Sequence, residues 1–83
     1  MKQALYFTAS WCGPCRTIKP KIEALKSQGL SIQIIDVDQA PSQAQTLGIR
    51  NVPTIILMEA GAEKQRMVGN NNINTETIKQ FLN

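Results

Sequence analysis

The chain has 83 residues, nine basic and six acidic, with a formal net charge of +3 and no histidine. A chain this short buries only about 60 % of its unfolded surface, so one small core and one domain over residues 1–83 are expected. No apolar run approaches the ~20 residues of a membrane span, no N-terminal stretch has a signal-peptide core, and no basic run is interleaved with aromatics as nucleic-acid binding requires.

In chain order, Gln3 to Thr8 reads as a short buried strand. From about Cys12 the period becomes helical: Cys15, Ile18, Ile22 and Leu25 form one apolar stripe on a helix ending near Gln28, with Gly29 as its stop. Pro20 lies inside this helix and should kink it. Arg16, Lys19, Lys21 and Lys26 form its solvated face. Ser31 to Val37 is an isoleucine-rich second strand. Pro41 to Leu47 is a short helix that opens on proline and stops at Gly48. Thr54 to Met58 and Glu63 to Val68 are strands joined by the turn Glu59-Ala60-Gly61-Ala62. A last helix starts at about Thr75, with Asn74 as cap and Ile73 and Ile78 placed as a hydrophobic staple. The order is β-α-β-α-β-β-α. The first two strands should be parallel through a right-handed crossover, and the last two antiparallel.

Both cysteines, Cys12 and Cys15, stand at the junction of the first strand and first helix. Three chemistries compete for them. A closed zinc site needs about four ligands, and two sulfurs with no histidine fall short without a second chain. A purely structural disulfide here closes a loop too small to constrain the unfolded chain much. Redox exchange fits better. A sulfur at a helix start faces unpaired backbone N–H groups and the positive end of the helix dipole, and both favour thiolate over thiol. Cys12 would then attack. Cys15, one turn on and on the apolar stripe, would resolve the mixed disulfide. Pro14 suits the first turn because its missing N–H has no intrahelical partner to lose.

Trp11-Cys12-Gly13-Pro14-Cys15 resembles the active site of the thioredoxin family. Three further landmarks follow in order: Pro20 as the helix kink, Gly48 to Thr54 as the segment with a cis-proline at Pro53, and Val68-Gly69 as the edge of a substrate groove. The resemblance runs from about Ala4 to Leu82. It implies a thioredoxin-like α/β fold with a four-stranded mixed sheet in the order 31–37, 3–8, 54–58, 63–68 and helices on both faces. Full-length members carry an extra strand and helix before the redox strand. Only eleven residues precede Cys12 here, so the fold is expected to be truncated at the N-terminus, with Ser31 to Val37 as an exposed edge. The family's buried aspartate and its lysine partner fall at Tyr6 and Ile34, both expected in the core. Their joint loss fits the cost of burying an unpaired charge.

The expected function is a thiol-disulfide oxidoreductase, a cytoplasmic carrier that reduces disulfide-containing proteins and is recharged by a thioredoxin reductase. Cys12 and Cys15 carry the chemistry. Trp11, Gly13, Pro14, Val52, Pro53 and Gly69 meet the substrate. No cofactor, metal, nucleic acid or membrane is expected, and the protein should be a monomer. Two alternatives remain. A glutathione-dependent, glutaredoxin-like enzyme matches the length, but Gly69 is followed by Asn70-Asn71-Asn72 rather than a second glycine and an acid. A non-catalytic accessory subunit would bind a partner through Trp11, Val52 and Gly69.

Overall fold

β1 (Lys2–Thr8) is buried from Ala4 to Thr8 because both of its faces are covered, which is why it reads as an unbroken apolar run. The computed structural model describes residues 1–83. After β1 come α1 (Cys15–Ser27), β2 (Ile32–Asp36), α2 (Pro41–Thr46), β3 (Thr54–Glu59), β4 (Ala62–Val68), a 3-10 turn (Asn70–Asn72) and α3 (Thr75–Leu82). The sheet order is β2-β1-β3-β4. β1 and β2 run parallel through α1, with Tyr6 opposite Ile34 and Thr8 opposite Asp36. β1–β3 and β3–β4 are antiparallel. This is the sheet order that the family resemblance implies, with β1 and β2 parallel and β3 and β4 antiparallel as the connections imply.

Alternate residues of each strand feed two clusters, one on each side of the sheet. Ala4, Tyr6, Ile55 and Leu57 pack with Ile18, Ile22 and Leu25 of α1 and Ile78 of α3. Leu5, Phe7, Ile35 and Ile56 pack with Ala44 of α2. Pro20 lies within α1 without ending it. It lacks the N–H that would reach the carbonyl of Arg16, the residue that follows Cys15.

Several details differ from the sequence reading: β1 starts one residue earlier, at Lys2, and α2 ends one residue earlier, at Thr46. β3 and β4 are longer, because Ala60 and Gly61 both take positive φ (53° and 81°) and close a two-residue hairpin of the kind that matches strand twist. β2 is one residue shorter at each end, although Ala4 N–H still donates to the Ser31 carbonyl and Val37 N–H to that of Thr8 (both 2.9 Å). Ile34 is half-buried rather than core, since β2 is the outer strand of the sheet. α1 begins at Cys15 and not at Cys12. α3 starts as its sequence dictates: the Asn74 Oδ1 accepts from Glu76 N–H (2.8 Å) and Thr77 N–H (3.3 Å), and Ile73 and Ile78 are buried together.

Candidate active site

The chain leaves β1 at Thr8 and turns through Ala9, Ser10 and Trp11, with Cys12 N–H donating back to the Ala9 carbonyl (3.2 Å). Gly13 and Pro14 then wind the first turn, since Arg16 N–H and Thr17 N–H donate to their carbonyls at 3.1 and 3.2 Å. Pro14 sits at φ −59° and ψ −28°, which its ring favours, and caps α1 without a side-chain bond. Gly13 has a different status: nothing lies within 4 Å of where its Cβ would stand, so no close approach demands glycine there.

Cys12 and Cys15 form a disulfide with their Cα atoms 5.3 Å apart. Although Cys12 precedes the helix, it is electrostatically part of the helix end. The Cys15 N–H, one of the donors an α-helix leaves without a partner, points at the Cys12 sulfur at 3.2 Å. A backbone N–H in that place favours a thiolate over a thiol. Exposure separates the two less than the sequence suggests, at 4 % for Cys12 and 1 % for Cys15. Both pack with Ala9, against the half-buried Val37 and Val52.

Three distant segments close around this turn. The Val52–Pro53 peptide is cis, and the Val52 carbonyl lies 3.6 Å from the Cys12 sulfur. The Thr54 hydroxyl donates to the Asn51 carbonyl (2.6 Å), which holds the loop before β3. Gly69 N–H donates to the Pro53 carbonyl (2.9 Å), so the end of β4 is fastened beside the cis peptide. Gly69 takes φ +90°, a conformation that side-chain-bearing residues avoid. Trp11 is 67 % exposed and its Nε1 donates to the Asp38 carboxylate at 2.8 Å. Asp38 is the neighbour that sequence reasoning missed. Its only signal was an acid placed just beyond β2, the strand parallel to the one that delivers Trp11.

A cleft of about 170 Å³ opens beside the disulfide, between the ends of β1 and β2 and the first turns of α1. Thr8, Arg16, Lys19 and Asp36 line it together with Cys12 and Cys15. At the position six residues before Cys12, the Tyr6 ring is fully buried and its hydroxyl has no hydrogen-bond partner. Burial pushes the phenol pKa up, the Thr8 hydroxyl, close by but outside hydrogen-bonding geometry, offsets part of this, and the charge of Glu23 adds to the rise. No group of three or more cysteines and acids is placed to share a metal ion.

A model of the thioredoxin family matches residues 2–83. The chain belongs to the thioredoxin family. Thioredoxin of Chlamydia caviae is 38 % identical over 65 residues, which cover 76 % of this chain and 64 % of that protein. Thioredoxin H2 of Arabidopsis thaliana is 38 % identical over 65 residues, covering 76 % of this chain and 49 % of that one. The chain thus spans less than two thirds of these relatives. Among solved structures, Fasciola hepatica thioredoxin superposes with a TM-score of 0.86 at 35 % identity, over 96 % of this chain and 80 % of that one. Reduced Schistosoma mansoni thioredoxin does so with a TM-score of 0.85 at 32 % identity, over 96 % and 78 %. The fold is thioredoxin-like, and no helix of this thioredoxin-family chain is long and apolar enough to cross a membrane.

Proposed function

We propose that this protein is a thiol-disulfide oxidoreductase that reduces disulfides in other proteins. The observation that carries the reading is the Cys12–Cys15 pair at the start of α1, with a backbone N–H aimed at the Cys12 sulfur at 3.2 Å. The Cys12 thiolate attacks a substrate disulfide. A Cys12–substrate bond forms, the substrate S–S bond breaks, and one substrate sulfur leaves as thiolate. Cys15 then attacks the Cys12 sulfur, which forms the internal disulfide and releases the second substrate thiolate. Two electrons pass from the protein dithiol to the substrate.

Trp11, Gly13, Pro14, Val52, Pro53 and Gly69 form the docking rim in this reading. The exposed indole of Trp11 and the Val52 N–H, which donates to no backbone carbonyl, support it. An extended substrate segment would pair with Val52 as a short added strand. The protein works as a single domain over residues 1–83 and as a monomer, in a reducing compartment such as the cytoplasm, and a thioredoxin reductase recharges it. The redox disulfide needs no further cofactor.

The test is trapping. Cys15→Ser should accumulate mixed disulfides with disulfide-containing proteins, and Cys12→Ser should not. Iodoacetamide at neutral pH should label Cys12 of the reduced protein before Cys15. Faster labelling of Cys15 would reverse the assignment of roles. Recharging the oxidised protein by a thioredoxin reductase, and not by glutathione, separates this reading from a glutaredoxin-like one. Full biological activity in a double Cys12→Ser, Cys15→Ser variant would favour a binding role instead.

A further inference from the structure

The second step of the reaction needs Cys15 as a thiolate, yet Cys15 is the more buried of the two cysteines. A proton must leave it, and the chain has no histidine to accept one. Six carboxylates are available in the sequence: Glu23, Asp36, Asp38, Glu59, Glu63 and Glu76. Asp36 is the one that lines the cleft containing both sulfurs. Asp38 is engaged by the Trp11 indole at 2.8 Å, and Glu63 by Arg66 at 2.8 Å. Glu23 lies on α1 about two turns beyond Cys15 and acts on the Tyr6 phenol.

We propose that Asp36 accepts the Cys15 proton through water in this cleft. The proposal rests on the dithiol chemistry proposed above. Its geometry comes from the β1–β2 register. Thr8 is paired with Asp36, and parallel partners point to the same side of a sheet, so both face the first turns of α1 where Cys15 sits. The Asp36 side chain is held in place, because its Oδ1 accepts from Asp38 N–H at 2.8 Å. Its Oδ2 is left for the cleft. A volume of about 170 Å³ with hydroxyl and charged walls has room for several waters, each with the polar partners that a buried water needs.

The other charged groups lining the cleft are Arg16 and Lys19, both from α1; β1 contributes Thr8, and Tyr6 lies one pleat further in on the same face of that strand. The two cations offset the negative charge that develops on the Cys15 sulfur, and they favour passage of the proton from Asp36 on to solvent rather than its retention there. As the Cys15 S–H bond breaks, the proton passes along water to the Asp36 carboxylate. The Cys15 electron pair attacks the Cys12 sulfur, and the bond from Cys12 to the substrate breaks. The departing thiolate takes that bond's electron pair, and Asp36 returns its proton to solvent. Asp36 is a positioning residue, acting on Cys15 through the intervening water.

The experiment follows the two thiolate releases when reduced protein reacts with dithiobis(nitrobenzoate). The first release reports attack by Cys12 and the second reports attack by Cys15. Asp36→Asn keeps an oxygen for the Asp38 N–H, so the turn stays formed. Its second phase should be slower by about tenfold or more near pH 6, a water-mediated share of the ~100-fold or more that a positioned base supplies. The deficit should shrink steadily as pH rises, because hydroxide then removes the proton without Asp36. The first phase should be unchanged, and Asp36→Glu should recover most of the rate near pH 6. A wild-type pH profile in Asp36→Asn, or a deficit of the same size at every pH, would overturn the proposal. So would an Asp36→Glu variant as slow as Asp36→Asn. Absence of any second phase in the unmodified protein would instead defeat the functional reading, and the proposal with it.

Discussion

Replacing Tyr6 by phenylalanine should make this protein more stable. The Tyr6 side chain is fully buried among Ala4, Ile55, Leu57 and the apolar stripe of α1, and its hydroxyl meets no partner in hydrogen-bonding geometry. Burying an unpaired hydroxyl costs about 1–3 kcal/mol. Removing the oxygen leaves a void of one atom, and at roughly 24 cal/mol per Å³ this takes back a few tenths of a kcal/mol. The net expectation for Tyr6→Phe is a gain of about 1 kcal/mol, or a melting temperature higher by about 4–8 °C for a domain of this size. Urea unfolding of the oxidised proteins at neutral pH measures it directly. The phenol also gives a second readout. Its folded-state pKa is raised, chiefly by burial, so the unfolded chain loses the proton first as pH rises. Its contribution is therefore complete below the free value of about 10 and is lost as pH rises through the folded value. The phenylalanine variant lacks this loss, so its advantage should widen above about pH 10. A loss of 1 kcal/mol or more on Tyr6→Phe would refute the reasoning, because the hydroxyl would then be bonded in solution, with Thr8 as the nearest candidate on the same strand face.

The same site carries a charge-pair prediction. Tyr6 and Ile34 are register partners on β1 and β2, so a new carboxylate and ammonium would meet across one strand gap. Tyr6→Asp alone should cost about 3 kcal/mol or more, from a void and an unpaired buried charge. Ile34→Lys should cost less, since a half-buried position on an outer strand lets the ammonium reach water. A double-mutant cycle by denaturant unfolding should show a favourable coupling of roughly 0.5–3 kcal/mol, and strictly additive losses would mean that the two side chains do not meet. At the other end of the chain, Asn74→Ala removes the oxygen that accepts from Glu76 and Thr77 N–H and should cost about 1 kcal/mol. Amide exchange of the first turn of α3 should quicken with it, and unchanged exchange there would mean that the staple of Ile73 and Ile78 suffices.

Much of this molecule is decided within short windows of sequence. The alternation of strand and helix, the proline start of α2, the Asn74 cap and the placing of Cys12-Gly13-Pro14-Cys15 between β1 and α1 rest on spacings of two to four residues. Periodicity, caps and turn residues act over that range, so each was legible without coordinates. Even the sulfur chemistry of Cys12 follows from its place beside a helix end. The start of α1 lies one turn beyond Cys12 and is not legible in the sequence, because Gly13 and Pro14 allow helical and turn geometry alike. Nothing in the sequence marks the left-handed backbone of Ala60 that lets both strands of the hairpin run longer. What remained hidden depends on which strand lies beside which, and in what register. The Trp11–Asp38 bond joins residues 27 apart, and only the parallel pairing of β1 with β2 brings them together. The same register sets Asp36 beside Thr8 at the mouth of the cleft, and the β1–β3 pairing carries the Val52 carbonyl to the Cys12 sulfur. The isolated hydroxyl of Tyr6 is also a property of the assembled core, since a side chain lacks a partner only once every neighbour has been placed. Sequence specifies local geometry because local interactions span a few residues; sheet order and register decide the site because they bring residues tens of positions apart within bonding distance.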